Sequence, residues 1–301
     1  MSRPEVFTAG QTAGLLDFPG LVASLDQAVR EHAAGAITAP ERQVVPMPRG
    51  GVMLSMPAAA TDICIHKLVN VVPGNRVRQL PTIHGVVAVY DGASGQALCI
   101  LDGPTVTARR TAAVTMLGLA TFLPGKPQCV ALIGTGAQAD GHVQALAALH
   151  PGLAVAVVGS SLDKARGFID RHRQLPLDLT ANAAVPDHAE AVITLTTSAT
   201  PVYTEAARTG RLVIGVGAFK PELAEIAPST LLASQVFVDD LEGSRHEAGD
   251  LIQAGADWGQ VRTLASALIA GARFDAPIVF KTVGCAAWDL AAARCVLPKI
   301  K

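Results

Sequence analysis

One short segment, TDICIHKLVN at residues 61–70, places a lysine among residues typical of a buried strand. The apolar positions of this segment are Ile63, Cys64, Ile65, Leu68 and Val69. Burying an ammonium group without a partner is costly or forces its pKa down. The position of Lys67 therefore suggests a residue that meets a negative charge or exchanges a proton.

Three arginines are candidates for binding an anion. Arg109 and Arg110 stand at the start of a predicted helix, where the helix dipole does not favour a positive charge. Arg42 precedes the first of several predicted strands. The planar guanidinium group suits a carboxylate or a phosphate, which it can bind through two parallel hydrogen bonds. Each arginine taken alone is more simply explained as a surface residue.

A glycine-rich loop follows the apolar run CVALIG and precedes a helical pattern. Gly134, Gly136 and Ala139 match the G-x-G-x-x-G/A pattern. The first glycine permits a tight turn, the second lets the backbone approach a pyrophosphate, and the small third residue lets the helix pack on the strand. A second apolar run follows at 153–158, so a whole strand–helix–strand unit is present. We therefore interpret the loop as a dinucleotide site and not as a structural turn.

The end of that second strand reads VVGSSLDKAR and indicates which cofactor is bound. NAD sites usually place a carboxylate there, on the ribose 2′-hydroxyl. Here Ser160 and Ser161 stand instead, with Lys164 and Arg166 close behind them. This pattern favours NADP(H), while NAD(H) stays open. The alternative is that the serines cap a helix whose charged face is only solvated.

The elements that must position these residues fall into two groups, which differ in their pattern of predicted strands and helices. The first part of the chain is predicted to be α+β, with a mostly antiparallel sheet. Its predicted elements are a helix at 17–34, strands at 51–58, 63–71, 84–91 and 96–103, and a helix at 105–123. From residue 128 onward, apolar β-rich runs alternate with helical segments, which predicts a doubly wound parallel sheet.

These patterns predict an α/β protein with two domains. Residues 1–124 would form the α+β domain, joined by a C-terminal helix at 283–301, and residues 125–282 the Rossmann-like domain. The boundary is predicted at the Pro124–Gly125–Lys126–Pro127 segment.

Composition excludes several classes of function. A net charge of −1 with no basic block argues against a nucleic-acid or anionic-membrane partner. The longest uncharged run, 141–162, is interrupted by His150–Pro151–Gly152, so it is not predicted to span a membrane. Five cysteines without a C-x-x-C pair indicate reduced thiols and a cytoplasmic protein. No cluster of side chains has the spacing of metal ligands.

Several motifs that occur in order along nearly the whole chain indicate a resemblance to a known family. They are APER, MLSMPA, HKLVNVVPGN, DGASGQALCILDG, VTARRTAAVT, IGTGAQADGH, GVGAFKPELAEI and KTVGCAAWDLAAAR. The sequence resembles the ornithine cyclodeaminase/mu-crystallin family. The resemblance implies an N-terminal α+β domain for substrate and dimerisation, a Rossmann-like domain for NAD(P), and a homodimer.

The resemblance also assigns roles to individual residues. It implies that Arg42, Lys67 and Arg110 bind the substrate, with Lys67 also catalytic, and that Arg110 touches the cofactor too. The negative charge that faces Lys67 is therefore expected to come from the substrate and not from the protein. The other implied cofactor contacts are Thr82, Gly134, Gly136, Ala137, Gln138, Ser160, Ser161, Thr196, Val216 and Thr282. His66 and His84 flank the predicted site, and either is more simply explained as a packed or solvated residue.

One departure from the family pattern narrows the expected reaction. The ornithine cyclodeaminases of this family carry an aspartate in a G-G-D-x-P stretch, where this chain has GAFKP and therefore Phe219. A phenylalanine cannot pair with an ammonium group, but it can pack against an apolar ring. The resemblance is greatest to the bacterial Δ1-pyrroline-2-carboxylate/Δ1-piperideine-2-carboxylate reductases. It implies reduction of a cyclic imino acid to L-proline or L-pipecolate.

Three alternatives stay open at this stage. Within the family, the chain could be an ornithine cyclodeaminase or an alanine-type amino-acid dehydrogenase. From another class, it could be a non-catalytic protein that binds NADPH or another ligand, as mu-crystallin partly is.

Overall fold

Two compact units make up the structure, a computed structural model that describes residues 3–270 and 275–300. The first unit is Met1–Arg110 together with Cys285–Lys301, and the second is Thr111–Gly284. The division falls after Arg110, inside a continuous helix, and not at the proline-rich segment after residue 124. That helix runs unbroken from Gly103 to Phe122, so the division lies inside it. The change of composition after residue 124 therefore does not mark the division.

Alternating residues build a six-stranded sheet in the first unit. Its strands are β1 (Glu5–Val6), β2 (Gln43–Pro46), β3 (Val52–Ala59), β4 (Ile63–Val71), β5 (Ile83–Asp91) and β6 (Ala97–Asp102). They lie in the order β1-β6-β5-β4-β3-β2, and every neighbouring pair is antiparallel except β1 with β6. The predicted mostly antiparallel sheet is confirmed.

Three helices accompany this sheet in the first part of the chain. They are α1 (Ala9–Leu15), α2 (Phe18–Ala33) and α3 (Gly103–Phe122). Asp17 caps α2 as predicted, because its Oδ1 accepts a hydrogen bond of 2.8 Å from the Gly20 amide. Asp102 Oδ1 likewise accepts from the Thr105 amide, so α3 begins earlier than predicted. The expectation that Arg109 and Arg110 open this helix is therefore wrong, since both lie beyond its first turn.

The second unit holds a parallel sheet with helices between its strands, as the alternating pattern predicts. Its strands are β7 (Cys129–Ile133), β8 (Ala154–Val158), β9 (Asp178–Asn182), β10 (Ala191–Thr194), β11 (Leu212–Gly215), β12 (Gln235–Val238), β13 (Arg262–Thr263) and β14 (Ile278–Lys281). Its further helices are α4 (Ala137–Leu149), α5 (Leu162–His172), α6 (Pro228–Leu232), α7 (Leu241–Glu247), α8 (Gly249–Ala254) and α9 (Leu264–Ala270).

The order of this sheet is β13-β12-β14-β11-β10-β7-β8-β9, and all of its neighbouring pairs are parallel. The central strands β7, β10, β11 and β14 are buried along their whole length, as expected for a sheet covered on both faces. The α/β prediction with a Rossmann-like sheet is confirmed.

The chain then returns to the first unit through its last helix, α10 (Ala286–Val296). Every residue of α10 except Arg294 is buried, and the helix packs against α2, β3 and β4. The Ser24 hydroxyl of α2 donates a hydrogen bond of 2.7 Å to the Ala291 carbonyl oxygen. Because α10 packs on β3 and β4, it brings its residues to the face of the sheet that carries Lys67.

Candidate functional site

Lys67 occupies a core-facing position of strand β4. Buried and more exposed residues alternate along this strand, and Lys67 shares its face with Ile63, Ile65 and Val69. The side chain is only 2% exposed. The prediction of a buried lysine is therefore confirmed, and the remaining question is which negative charge it meets.

The charge that meets Lys67 comes from the protein, and this corrects the expectation that only a substrate would supply it. Lys67 Nζ lies 3.0 Å from Oδ1 and 3.2 Å from Oδ2 of Asp289, which α10 contributes. Both side chains are almost completely excluded from solvent. The two residues are 222 positions apart in sequence, so nothing local to Lys67 indicates its partner.

Arg110 belongs to the same cluster. Its Nε lies 3.3 Å from Asp289 Oδ1, and the residue is 7% exposed. The charge of Arg42 also acts on Lys67, because it lowers the pKa of the lysine. The three residues predicted to bind substrate are thus brought into one electrostatic environment, with Asp289 as its carboxylate. We call Arg42, Lys67, Arg110 and Asp289 the cationic cluster.

Burial lowers the pKa of Lys67 well below its ordinary value, to about 8. The Asp289 carboxylate opposes this decrease, whereas the positive charges of Arg110 and Arg42 add to it. A lysine with a pKa near neutrality can release and recover a proton at physiological pH. The cluster therefore combines an anion-binding charge with a group suited to acid–base chemistry.

Arg109, the sequence neighbour of Arg110, lies outside the cationic cluster in the first unit. Arg109 donates from Nε to the Leu16 carbonyl oxygen at 2.7 Å, and its guanidinium group stacks on the Phe18 ring at 4.2 Å. It has a structural role there, unlike its neighbour in the cluster.

His66 and His84 lie on the face of the sheet opposite Lys67. His66 follows the alternation of β4 to the other side, where its Nε2 is 2.9 Å from Ser55 Oγ. His84 pairs with Asn70, which also lies on that face. Neither histidine borders the cationic cluster, so the plainer explanation of both is the better one.

Thr82 also lies in the first unit, immediately before β5. It is half-buried, and its carbonyl oxygen accepts a hydrogen bond of 2.8 Å from the Val72 amide. Its implied cofactor contact stays a prediction.

The glycine-rich loop of the second unit has the geometry that its sequence predicts. Gly134 adopts φ +118°, and a Cβ there would come within 2.8 Å of the Leu195 carbonyl oxygen. Gly136 is the N-cap of α4, contributes no capping side chain, and leaves open space where a Cβ would stand. Ala139 is fully buried, as expected of the position that packs helix on strand.

Two observations test whether a nicotinamide dinucleotide fits this loop. The amide groups in the first turn of α4 are left without a side-chain cap, so they can bind a phosphate group. Gln138 Oε1 is buried without a hydrogen-bond partner, so it could accept a hydrogen bond from a ribose hydroxyl. Ala137 and Gln138 are the first two residues of the helix. The residues present therefore fit the cofactor that the pattern predicts.

The two serines after β8 differ in their contacts. Ser161 is the N-cap of α5, where its Oγ accepts a hydrogen bond of 3.3 Å from the Lys164 amide. Ser160 is exposed. The nearest carboxylate in sequence, Asp163, lies in the first turn of α5 and pairs with Arg166 at 3.2 Å. Capping thus accounts for Ser161, and no carboxylate occupies the end of β8 itself.

The remaining predicted cofactor residues follow the carboxyl ends of neighbouring strands. Thr196 comes after β10, Val216 directly after β11, and Thr282 directly after β14. The glycine-rich loop and the serines occupy the same positions after β7 and β8. Because parallel strands end at one edge of their sheet, all of these residues lie along the edge where such folds bind ligands.

Glu225 joins two of these strand ends, a role that the sequence did not reveal. Its Oε1 accepts hydrogen bonds from the Thr196 amide and hydroxyl, at 2.5 and 2.9 Å. Its Oε2 accepts from the amides of Gly217 and Ala218, at 2.6 and 2.9 Å. Burial raises the pKa of Glu225, while the positive charge of Lys281 lowers it. Lys281 in turn pairs with Asp250 at 3.0 Å.

A signal for Asp289 was present in the sequence. The C-terminal segment CAAWDLAAARCV has one carboxylate in a helical run that is otherwise apolar up to Arg294. A carboxylate on a helix that is buried all round must find a cation. That reasoning indicates a buried pair but does not identify the lysine.

Metal-binding groups and membrane-spanning helices are both absent from the described residues. No group of three or more histidine, cysteine, aspartate or glutamate side chains in residues 3–270 and 275–300 could hold a metal ion. Within the same ranges, no helix is both long and apolar enough to cross a membrane.

Comparison with known proteins now decides the family. The profile of the ornithine cyclodeaminase/mu-crystallin family matches residues 5–301. The chain belongs to this family. The resemblance seen in the ordered motifs is therefore confirmed over almost the whole length.

Similar members of the family are bacterial reductases of cyclic imino acids. The Δ1-pyrroline-2-carboxylate/Δ1-piperideine-2-carboxylate reductase of Azospirillum brasilense is 55% identical over 301 residues, which cover 98% of this chain and 95% of that protein.

Solved structures of other proteins share the fold. The Δ1-pyrroline-2-carboxylate reductase of Thermococcus litoralis, solved with NADH and L-proline, matches with a TM-score of 0.87 at 22% identity, over 98% of this chain and 97% of its own. An archaeal alanine dehydrogenase dimer with bound NAD matches with a TM-score of 0.86 at 22% identity, over 99% of this chain and 97% of its own. At this identity the likeness concerns the fold.

The position that departs from the cyclodeaminase pattern of the family lies in a loop after β11. Phe219 is 40% exposed there, and it follows Ala218, whose amide is bound by Glu225. An exposed aromatic ring at this position offers an apolar surface and no acid–base group.

Proposed function

We propose that this chain reduces Δ1-pyrroline-2-carboxylate and Δ1-piperideine-2-carboxylate to L-proline and L-pipecolate with a reduced nicotinamide cofactor. The observation that carries the proposal is the cationic cluster, in which Lys67 and Arg110 share one internal carboxylate. The similar Azospirillum brasilense protein, a reductase of both imines by name, supports the same substrates.

The charge of the cluster suits a substrate with one carboxylate. Asp289 balances one of the positive charges of Lys67, Arg110 and Arg42, which leaves an excess of positive charge to bind an anion. Arg42 and Arg110 would hold the substrate carboxylate. Holding the substrate in a fixed orientation is itself a large part of the rate enhancement of an enzyme.

Reduction of a cyclic imine needs a hydride at carbon and a proton at nitrogen. The nicotinamide cofactor, when bound, supplies the hydride to the imine carbon next to the carboxylate. The Lys67 ammonium group would donate a proton from Nζ to the ring nitrogen and then recover one from solvent. Proton donation by a positioned group contributes typically about 10²–10⁴-fold to a rate.

The second unit would bind the cofactor along the carboxyl edge of its sheet. Gly134, Gly136, Ala137 and Gln138 would meet the pyrophosphate and ribose. The lack of a carboxylate at the end of β8 favours NADP(H), because a carboxylate there would repel a 2′-phosphate. Ser160, with the nearby charges of Lys164 and Arg166, would bind that phosphate, while NAD(H) remains the second choice.

We further propose that the chain forms a homodimer through the open face of its antiparallel sheet. Val45 and Val86 are 46% and 42% exposed on this face, and Leu68 lies half-buried opposite Val86. Apolar residues exposed together in this way are typical of a protein interface. The structurally similar alanine dehydrogenase is a dimer, which favours a second copy of this chain as the partner.

Ornithine cyclodeaminase activity is the less suitable assignment. That reaction needs a group near the side-chain amine of ornithine, where related cyclodeaminases carry an aspartate. Phe219 has no charge or acid–base group to offer, whereas it can pack against a flat apolar ring.

A steady-state assay tests the proposed function. Oxidation of NADPH and of NADH is measured with both cyclic imines and with pyruvate plus ammonia, and release of ammonia is measured with L-ornithine and oxidised cofactor. We expect turnover of the imines, with the higher kcat/KM for NADPH. Faster turnover of pyruvate with ammonia, or release of ammonia from ornithine at a matching rate, would reject the assignment. Binding of NADPH without turnover of any substrate would favour a ligand-binding protein.

A further inference from the structure

Asp289 holds two cations with one carboxylate. Its Oδ1 lies 3.0 Å from Lys67 Nζ and 3.3 Å from Arg110 Nε, and its Oδ2 lies 3.2 Å from the same lysine nitrogen. The shared oxygen therefore fixes the spacing between the lysine and the arginine. All three groups are buried, so solvent does not screen their interaction.

The surroundings of Asp289 supply no other reason for a charge at this position. Its neighbours on α10 include Ala287, Leu290 and Ala291, which are buried and apolar. A buried ion pair is on average no more stabilising than well-packed apolar residues of similar size. Packing alone therefore does not call for a carboxylate here, while its contacts with Lys67 and Arg110 suggest a functional reason.

The charged groups that act on Lys67 come from three elements. Asp289 approaches from α10, Arg110 from α3, and Arg42 from the segment before β2. The strand neighbours of Lys67 are apolar, with Met56 on β3 and Val87 on β5. Without the Asp289 carboxylate, burial and two positive charges would all favour the neutral amine.

We infer that Asp289 is a positioning residue of the reduction site, which keeps Lys67 in its protonated form and directs its Nζ for proton transfer. The inference rests on the function proposed above. It extends that function because it gives the Asp289 carboxylate and the substrate carboxylate different roles. Asp289 prepares the proton donor, and Arg42 and Arg110 retain positive charge for the substrate carboxylate. Lys67 is then primarily the donor and only secondarily a carboxylate ligand.

The variant Asp289→Asn tests the inference through the pH profile of kcat/KM for imine reduction. A proton donor acts only in its protonated form, so activity falls as the pH rises past its pKa. An opposite charge at this distance typically shifts a pKa by about 1–3 units. We expect the fall in activity to move to lower pH by at least one unit. A lower activity at every pH with an unmoved profile would overturn the inference, because a purely structural role has that effect.

The matched control is Asp62→Asn. Asp62 pairs with Arg294 of the same helix, at 2.8 Å between Oδ1 and Nη2, but at the solvent-exposed side. This control removes a carboxylate that α10 contacts without touching the cationic cluster. We expect its pH profile to match the wild type, and an equal shift in both variants would overturn the inference.

The double variant Lys67→Met/Asp289→Asn tests the role of Asp289 even if Asp289→Asn fails to fold. It removes the lysine and its carboxylate together, so Lys67 is not left buried without its partner. If Asp289 acts through Lys67, the residual imine reduction of the double variant should equal that of Lys67→Met within about twofold, since coupled residues are not additive. A further decrease of tenfold or more would contradict the inference.

The failure of this inference is distinct from the failure of the proposed function. Absence of imine reduction by the wild-type chain rejects the function itself. Normal reduction by the wild type, with an unmoved pH profile in Asp289→Asn, rejects only the role of Asp289.

Discussion

At the scale of single residues, the molecule shows how a buried lysine can be tolerated in a strand. The alternation of β4 directs Lys67 into the interior, and helix α10 brings Asp289 to meet it. The pKa of about 8 results from burial opposed by that carboxylate. One internal carboxylate balances only one of the three positive charges of the cationic cluster, which leaves a lysine able to donate a proton and a charge able to bind an anion in the same place.

This pKa predicts the pH dependence of the reaction. Lys67 is protonated below about pH 8, so kcat/KM for imine reduction should fall as the pH rises through that value. Steady-state rates measured between pH 6 and pH 10 (about two units either side of that pKa) check this expectation.

The control is Lys67→Met, which leaves any titration of the substrate in place. We expect it to lower kcat/KM by about 10²–10⁴-fold and to abolish the fall near pH 8, with NADPH binding nearly unchanged. Persistence of the fall in this variant would assign it to the imine or to another group.

At the scale of elements, the carboxyl ends of the parallel strands carry the residues that we propose bind the cofactor. The capping of α5 occupies Ser161, which leaves exposed Ser160 as the serine able to meet a 2′-phosphate. We therefore expect the choice between the two nicotinamide cofactors to depend on the turn of a few residues after β8.

The variant Ser160→Asp should therefore exchange the cofactor preference. A carboxylate at the end of β8 repels the 2′-phosphate and can accept a hydrogen bond from the ribose hydroxyl of NADH. We expect the ratio of kcat/KM for NADPH to that for NADH to fall at least tenfold, which corresponds to about 1.4 kcal/mol. Ser160→Ala, which removes only the hydroxyl, is the control. An unchanged ratio in Ser160→Asp would place the 2′-phosphate elsewhere.

The loops after β10 and β11 depend on one another through Glu225. The variant Glu225→Gln replaces an acceptor of four hydrogen bonds by a carboxamide, whose amino group cannot accept from the amides that it faces. We expect the free energy of unfolding to fall by about 2–4 kcal/mol, because buried donors lose their partner. NADPH binding, followed by its fluorescence, should weaken as the loop that carries Thr196 loosens.

The control for this variant is Glu222→Gln in the same loop. Glu222 is exposed and lies 3.9 Å from Lys220, a surface pair that contributes little to stability. Equal losses of stability in the two variants would show that the loop, and not the Glu225 network, is responsible.

At the scale of the whole molecule, each unit supplies one part of the predicted chemistry. The first unit holds the cationic cluster on one face of its sheet and exposes apolar residues on the other. The second unit holds the glycine-rich loop and the strand ends. We propose that the two faces of the first sheet serve different purposes, one binding the substrate and the other a second copy of the chain.

The variant Val86→Glu should weaken that association. A charge at the centre of an apolar contact must be buried without a partner when two copies meet. We expect the dimer to dissociate at least tenfold more readily, as measured by sedimentation velocity over a range of concentrations. Leu232→Glu, a change at a residue 61% exposed in the second unit, is the control. A wild-type chain that sediments as a monomer would reject the homodimer.

The sequence by itself determined the features that depend on neighbouring residues. The glycine-rich loop needs only a strand, a turn and a helix in succession, so G-T-G-A-Q-A predicted its geometry. The apolar residues around Lys67 likewise predicted that it is buried, whereas the alternation that sends His66 to the other face was seen only in the structure. The class of each unit follows from the same periodicities, repeated along the chain.

Only the tertiary structure decided which distant groups meet. Asp289 reaches Lys67 because α10 folds back on β3 and β4. Glu225 joins the loops that follow β10 and β11, two strands that end side by side. The energy of a buried charge depends on every group around it, and no local pattern encodes those groups. For that reason a buried lysine could be recognised from sequence, whereas its pairing with the carboxylate of Asp289 could not.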